Sequence, residues 1–176
     1  TDDTGYYDFT HGATPATEGN AIFMVNAITM ELIWKATNDS MEIGSTNYHY
    51  PQPELNFSIP STVEALDTNK NGYMDRIYVG DVAGNIWRGD FPECGSAAMP
   101  CDSDHRMDHW SLTKLASLGG TTAAGDTRFF HAPSVAFTKD TNGDYDGIVI
   151  GSGDRENPLE TTDRNRVYMI KDRNTI

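Results

Sequence analysis

One block of sequence occurs twice in this 176-residue chain, 73 positions apart, and it constrains the fold more than any other feature. Ile59-Pro60-Ser61-Thr62-Val63-Glu64-Ala65-Leu66-Asp67-Thr68-Asn69 aligns with Ala132-Pro133-Ser134-Val135-Ala136-Phe137-Thr138-Lys139-Asp140-Thr141-Asn142, with Pro, Ser, Asp, Thr and Asn in common. Each copy then runs through an Asp-rich loop into a short apolar strand that ends in Gly, Arg76 to Gly80 in one and Gly147 to Gly151 in the other. After a polar turn each continues into a partner strand, Gly84 to Arg88 and Asn165 to Ile170, and a third strand of this second kind, Gly19 to Asn26, precedes both. A repeated antiparallel unit that cannot bury both of its faces alone must stack on neighbours of its own kind, as propeller blades do. The fold predicted is all-β, a partial β-propeller of about two and a half blades spanning 1–176, with the missing blades supplied by a longer native chain. A β-sandwich needs no missing partner but leaves the repeat unexplained.

The rest of the chain agrees with strands. Apolar residues fall in short runs between Asp, Asn and Gly clusters, at Ala21 to Asn26, Glu31 to Ala36, Ser61 to Leu66, Arg76 to Gly80, Gly84 to Arg88, His109 to Leu115, Ser134 to Phe137, Gly147 to Gly151 and Arg166 to Lys171. Gly80 to Asn85 reads as a hairpin connection. No window holds a helical period over three turns, with Asp108 to Leu118 the nearest approach. Acidic residues are skewed, 18 Asp against 8 Glu, which is turn and oxygen-ligand chemistry rather than helix chemistry. The net charge of −13 argues against nucleic acid or an anionic membrane as partner. The longest apolar stretch, Ala21 to Val25, is far short of the roughly 20 residues of a membrane helix, so no membrane insertion is expected. Thr1-Asp2-Asp3 opens the chain without the features of a signal peptide, as expected of a processed or excised piece. Cys94 and Cys101 are too widely spaced for a CxxC pair and are read as a loop-closing disulfide of an oxidising compartment.

Asp67-Thr68-Asn69-Lys70-Asn71-Gly72-Tyr73-Met74-Asp75 carries the strongest chemical signal. Oxygen side chains fall at loop positions 1, 3, 5 and 9 and Gly at 6, the order of EF-hand-type calcium loops. Alternate side chains can point at one cation, Gly72 permits the reversal, and the turn aims the Tyr73 carbonyl inward. The candidate ligands are therefore Asp67, Asn69, Asn71, Tyr73 through its carbonyl, and Asp75, and hard oxygen donors of this kind suit Ca2+. Position 12 is Tyr78 rather than Glu, so Asp75 supplies the last carboxylate, directly or through water. Two carboxylates and two neutral amides give low ligand charge and an affinity suited to extracellular calcium. The second Asp-rich loop, 140–146, has the composition but places Gly at position 4, and reads as a degenerate copy.

Arg88-Gly89-Asp90 spells an integrin-recognition tripeptide, an adhesive reading that requires an exposed loop tip. His105 and His109 are four apart but lack the HExxH pattern, and His11, His49 and His131 are scattered. No GxSxG, phosphate loop or dinucleotide fingerprint supports hydrolase or kinase chemistry.

Asp67 to Arg88, Phe130-His131-Ala132-Pro133-Ser134, and Gly151-Ser152-Gly153-Asp154-Arg155-Glu156-Asn157-Pro158-Leu159 together resemble the later part of the C-terminal domain of the PilY family of type IV pilus tip and biogenesis proteins. The resemblance covers most of the chain from about Gly19 onward. It implies a modified quinoprotein-like β-propeller in a secreted, pilus-associated, non-enzymatic protein that supports pilus assembly and surface adhesion. Its partners would be minor pilins or other pilus tip components and a host cell-surface receptor. It further implies one calcium site, held here by Asp67, Asn69, Asn71, the Tyr73 carbonyl and Asp75, whose occupancy opposes pilus retraction. The family's integrin-binding tripeptide lies outside the propeller, so Arg88-Gly89-Asp90 does not inherit that role. Ile22 to Trp34 also resembles the blade signature of quinoprotein dehydrogenases, in which a Trp docks adjacent blades, with Asn26 and Met30 where Asp and Gly are usual. A quinone-cofactor dehydrogenase is the enzymatic alternative that this second resemblance raises.

Overall fold

A computed structural model of the chain describes residues 18–38, 48–93, 109–120, 127–155, 158–159, 161 and 164–173. Among them there are ten strands and no helix, hence none long and apolar enough to cross a membrane. The strands form three sheets. The first joins β1 (Ala21–Val25), β2 (Leu32–Thr37) and β3 (Tyr48–Pro51). The middle one runs in the order β4 (Glu64–Leu66), β5 (Arg76–Gly80), β6 (Asn85–Asp90) and β7 (Ser111–Ser117). The third runs β10 (Val167–Asp172), β9 (Gly143–Gly151), β8 (Ser134–Asp140). The other nine strands were legible as apolar runs, whereas β3 was not, because its Tyr-His-Tyr-Pro sequence before Gln52-Pro53 reads as a breaker. It pairs parallel to β2, Trp34 opposite Tyr48, as the one parallel ladder among the described residues. The stretch nearest a helical period is the antiparallel strand β7.

The middle sheet is covered on both faces, so every residue of β5 and the first five of β6 are buried. Side chains alternate across a strand, and the alternation divides this sheet cleanly. Ile77, Val79 and Trp87 point one way, into a cluster with Ile22, Trp34, Ala36 and Leu55 of the first sheet and its following loop. Arg76, Tyr78, Ile86 and Arg88 point the other way, where Ile86 meets Phe129 and Ile150 and the polar three meet the third sheet. Each large apolar side chain withdrawn from water here contributes about 1.5–3 kcal/mol. Three face-to-face sheets built from a repeated strand unit are successive blades of an open, partial propeller.

Two turns fix the register. At the β5–β6 turn Gly84 has φ of 78°, and a Cβ there would meet Gly119 N at 2.6 Å and the Thr127 carbonyl oxygen at 2.7 Å, so only glycine fits. Asp81, fully buried, accepts hydrogen bonds from Ala83 N, Asn85 N, Asn85 Nδ2 and Trp87 Nε1, each at 2.9 Å. Burial pushes its carboxyl up and these four donors oppose the rise. At the β1–β2 turn Asn26 Oδ1 accepts from Ile28 N and Thr29 N, and Met30 takes φ of 61°, the left-handed conformation in which Gly is usual. The β1–β2 turn is thus closed by the Asn26 side chain and by the left-handed Met30. Trp34 goes on to dock edge-on against Phe91 of the neighbouring sheet, with ring centres 5.3 Å apart.

Candidate metal loop and the ionic seam beside it

The segment Asp67–Asp75 connects β4 to β5, and its two ends are clipped together where Asp75 N donates to the Leu66 carbonyl at 2.9 Å. Its polar side chains turn inward. Asp67 accepts from Asn71 N at 3.1 Å and Gly72 N at 2.8 Å, Asn69 Oδ1 accepts from Asn71 N at 3.0 Å, and Asn71 Oδ1 accepts from Tyr73 N at 2.8 Å. Both oxygens of Asp75 accept from Thr68 N at 3.1 Å. Lys70 and Gly72 make the reversal with φ of 63° and 95°. The Tyr73 ring is exposed, so only its carbonyl is a candidate ligand.

The structure thus brings the oxygens of Asp67 and Asn69 together at the Asn71 amide, while Asn71 Oδ1 turns to Tyr73 N and Asp75 closes the loop from the far end. All are hard oxygen donors, the chemistry that suits Ca2+, and among the described residues no three His, Cys, Asp or Glu side chains form a metal cluster of their own. Neutral amides must therefore complete any coordination here. Glu93, which the spacing within the loop could not reveal, hydrogen-bonds Asn71 Nδ2 from 22 residues away and puts a third carboxylate at the rim. The second Asp-rich segment has another shape. Asp140 pairs with Gly143, so Thr141-Asn142 is a two-residue hairpin turn and Asp144 and Asp146 belong to strand β9. Asp140 is held below the usual carboxylate range by Arg173 and Lys171, which bind it from beyond β10 and within it.

Directly after the Asp67–Asp75 loop the chain enters a buried ionic seam between the middle and third sheets. Arg76 Nε donates to Asp90 at 3.0 Å and its Nη1 to Asp146 at 2.7 Å. The Tyr78 hydroxyl lies 2.8 Å from both Asp146 Oδ2 and Asp172 Oδ2. Arg88 Nη1 donates to Asp172 at 2.7 Å and Nη2 to Asp90 at 2.8 Å, while its Nε lies 2.8 Å from Asp90 Oδ2 without an aligned hydrogen bond. Burial disfavours the charge on Arg76, but Asp146 and Asp90 outweigh it and raise its affinity for the proton. Burial, then Asp172 and Asp146, push the Tyr78 phenol well above its usual value. Two guanidinium groups face three carboxylates, and the phenol proton bridges the surplus charge.

Arg88-Gly89-Asp90 is part of this seam, which corrects the adhesive reading of that tripeptide. It lies in β6 between β5 and β7, Arg88 is 4% exposed, and its charge is spent on Asp172 and Asp90. Gly89 is packed so closely that a Cβ would meet Ile77 Cγ1 at 2.7 Å. Neither charge is displayed on a loop tip. Of the histidines, His49 is buried with Nε2 2.7 Å from Thr37 Oγ1, and His131 is exposed. His11, His105, Cys94 and Cys101 lie outside the described residues.

Stacked, mostly antiparallel sheets joined across buried faces, with an Asx-rich loop at one seam, define a β-propeller-like protein. No protein-family model matches the chain, and no curated protein matches it in sequence. Among solved structures it is similar to the crystal structure of the Pseudomonas aeruginosa PilY1 C-terminal domain, with a TM-score of 0.55 and 17% identity over 88% of this chain. The chain spans 32% of the length of that domain. The likeness is one of fold.

Proposed function

We propose that the chain is a non-enzymatic, calcium-binding part of a type IV pilus tip or biogenesis protein, extracellular or at the cell surface. On this reading it supports pilus extension and surface adhesion, with Ca2+ occupancy opposing retraction. The observation that carries it is the inward-turned loop, whose Asp75 adjoins Arg76 of the seam, within a fold similar to the PilY1 C-terminal domain. Asp67, Asn69, Asn71, Asp75 and the Tyr73 carbonyl would hold the ion. Bound there, Ca2+ supplies charge to a loop whose carboxylates now rest on backbone N–H groups. The loop's own contribution is to set where β5 begins. Minor pilins or other tip components, and a host cell-surface receptor, are the partners of this reading.

Calorimetric Ca2+ titration of chelator-stripped protein tests it beside Asp75→Ala, with circular dichroism to establish that both are folded. One saturable site, with an affinity on the order of the 10⁻⁴–10⁻³ M of extracellular modules, is expected in the wild type and none in the variant. Folded wild type that takes up no Ca2+ at millimolar concentration refutes the metal assignment.

A further inference from the structure

Between the metal loop and the β8–β9 hairpin lies an open cleft of about 610 Å3, within the range of ligand sites. Arg76 and Asp146 form its floor, Thr68 and Asn69 one wall, and Phe137, Thr138, Lys139 and Asp144 belong to the other. Arg76 is nine-tenths buried and commits Nε to Asp90 and Nη1 to Asp146. Among the described residues its Nη2 has no hydrogen-bond partner and, unlike Arg88 Nε, is not shut off from solvent, so this donor is open to the cleft. The charged lining is balanced, Arg76 and Lys139 against Asp144 and Asp146, so it selects neither an anion nor a cation.

Three features of the cleft define what fits it. The Lys139 ammonium and Arg76 Nη2 offer donors, the exposed Asp144 carboxylate offers an acceptor, and none of these is used by another described residue. Phe137 presents a ring that is 54% exposed at the mouth. A ligand suited to all three is uncharged, has an apolar face, and carries groups that both accept and donate. Hydroxyls do both, and a sugar ring sets them around a C–H face that packs on an aromatic ring. We propose that this cleft is a binding site for an uncharged saccharide. The ring lies on Phe137, one hydroxyl accepts from Arg76 Nη2, and another donates to Asp144.

Saturation-transfer NMR on the whole chain, with lactose, maltose and N,N′-diacetylchitobiose as probes, tests this directly and does not depend on the pilus assignment. Sialyllactose and N-acetyl-trialanine amide serve as anionic and peptide comparators. At least one neutral sugar is expected to show transfer, strongest at its ring C–H protons. Phe137→Ala and Asp144→Asn, both at exposed positions, are expected to weaken its affinity at least tenfold with unchanged thermal melting. The proposal is overturned if no neutral sugar shows transfer to the folded wild type, if only the anionic or peptide comparator binds, or if both variants bind the sugar as the wild type does.

Discussion

Replacing Tyr78 by Phe removes one oxygen atom from the middle of the ionic seam and leaves the ring packing in place. The hydroxyl sits 2.8 Å from carboxylate oxygens of both Asp146 and Asp172, and no water reaches the side chain to take its place. A hydrogen bond to a charged group is worth about 1.5–3 kcal/mol, and each carboxylate keeps its arginine, so a loss of about 2 kcal/mol is expected at neutral pH. That is a large share of the roughly 5–15 kcal/mol that holds an ordinary domain folded. The same hydroxyl predicts a pH signature. Its folded pKa is raised, so its stabilisation is fully present below the unfolded tyrosine value of about 10 and is lost as pH climbs from there toward the folded value. In that window the unfolded chain holds fewer protons than the folded one, and stability falls by up to about 1.4 kcal/mol per pH unit for this group. The wild-type advantage of about 2 kcal/mol should therefore vanish about 1.5 pH units above 10. Urea unfolding of both proteins, followed by fluorescence from pH 7 to 11.5, measures it. Equal midpoints at pH 7, or a gap that stays constant up to the highest pH, would refute the role assigned to the hydroxyl.

The other expectations concern separate parts of the molecule. Gly89→Ala would drive a Cβ to 2.7 Å from Ile77 Cγ1 and 3.0 Å from Phe91 Cζ, and overpacking of this kind costs about 1–3 kcal/mol, readable as a lowered urea midpoint. Asp81→Asn turns an amide donor toward part of a group of four donors; a loss of about 3 kcal/mol and a red-shifted Trp87 emission are expected, and an unchanged melt would rule out the four-donor account. The Ca2+ titration with Asp75→Ala and the saccharide measurement with Phe137→Ala complete the set.

The repeat made the strands legible because each copy carries its own punctuation. Gly19-Asn20 and Gly84-Asn85 open equivalent strands, and both glycines take left-handed φ values, 75° and 78°. The order of oxygen residues in Asp67 to Asp75 likewise exposed a local loop. What stayed hidden depends on partners far along the chain. Arg76-Ile77-Tyr78-Val79 alternates polar with apolar, the pattern of a half-solvated strand, yet its polar face is buried against Asp146, 70 residues on. Arg88 and Asp172 are 84 residues apart, and nothing local to either announces the other. The burial of the integrin-like tripeptide was illegible for the same reason, since three letters carry no information about what covers them. The Asp81 turn could have been found, because Asp-x-x-Gly-Asn-x-Trp places the donors that its carboxylate collects.

The two faces of the middle sheet are joined to their neighbours by unlike bonds, and they would fail differently under tension. The face around Trp34 and Trp87 is held by non-directional apolar contact, which re-forms after each small slip, so that joint is ductile. The face around Arg76, Tyr78 and Arg88 is held by aligned hydrogen bonds that no longer count beyond about 3.5 Å, so that joint is stiff and then breaks all at once. A fuse of this kind sits one residue beyond Asp75. Whatever stiffens the Asp67–Asp75 loop therefore bears on the brittle joint first, and the sheet behind it can yield without coming apart.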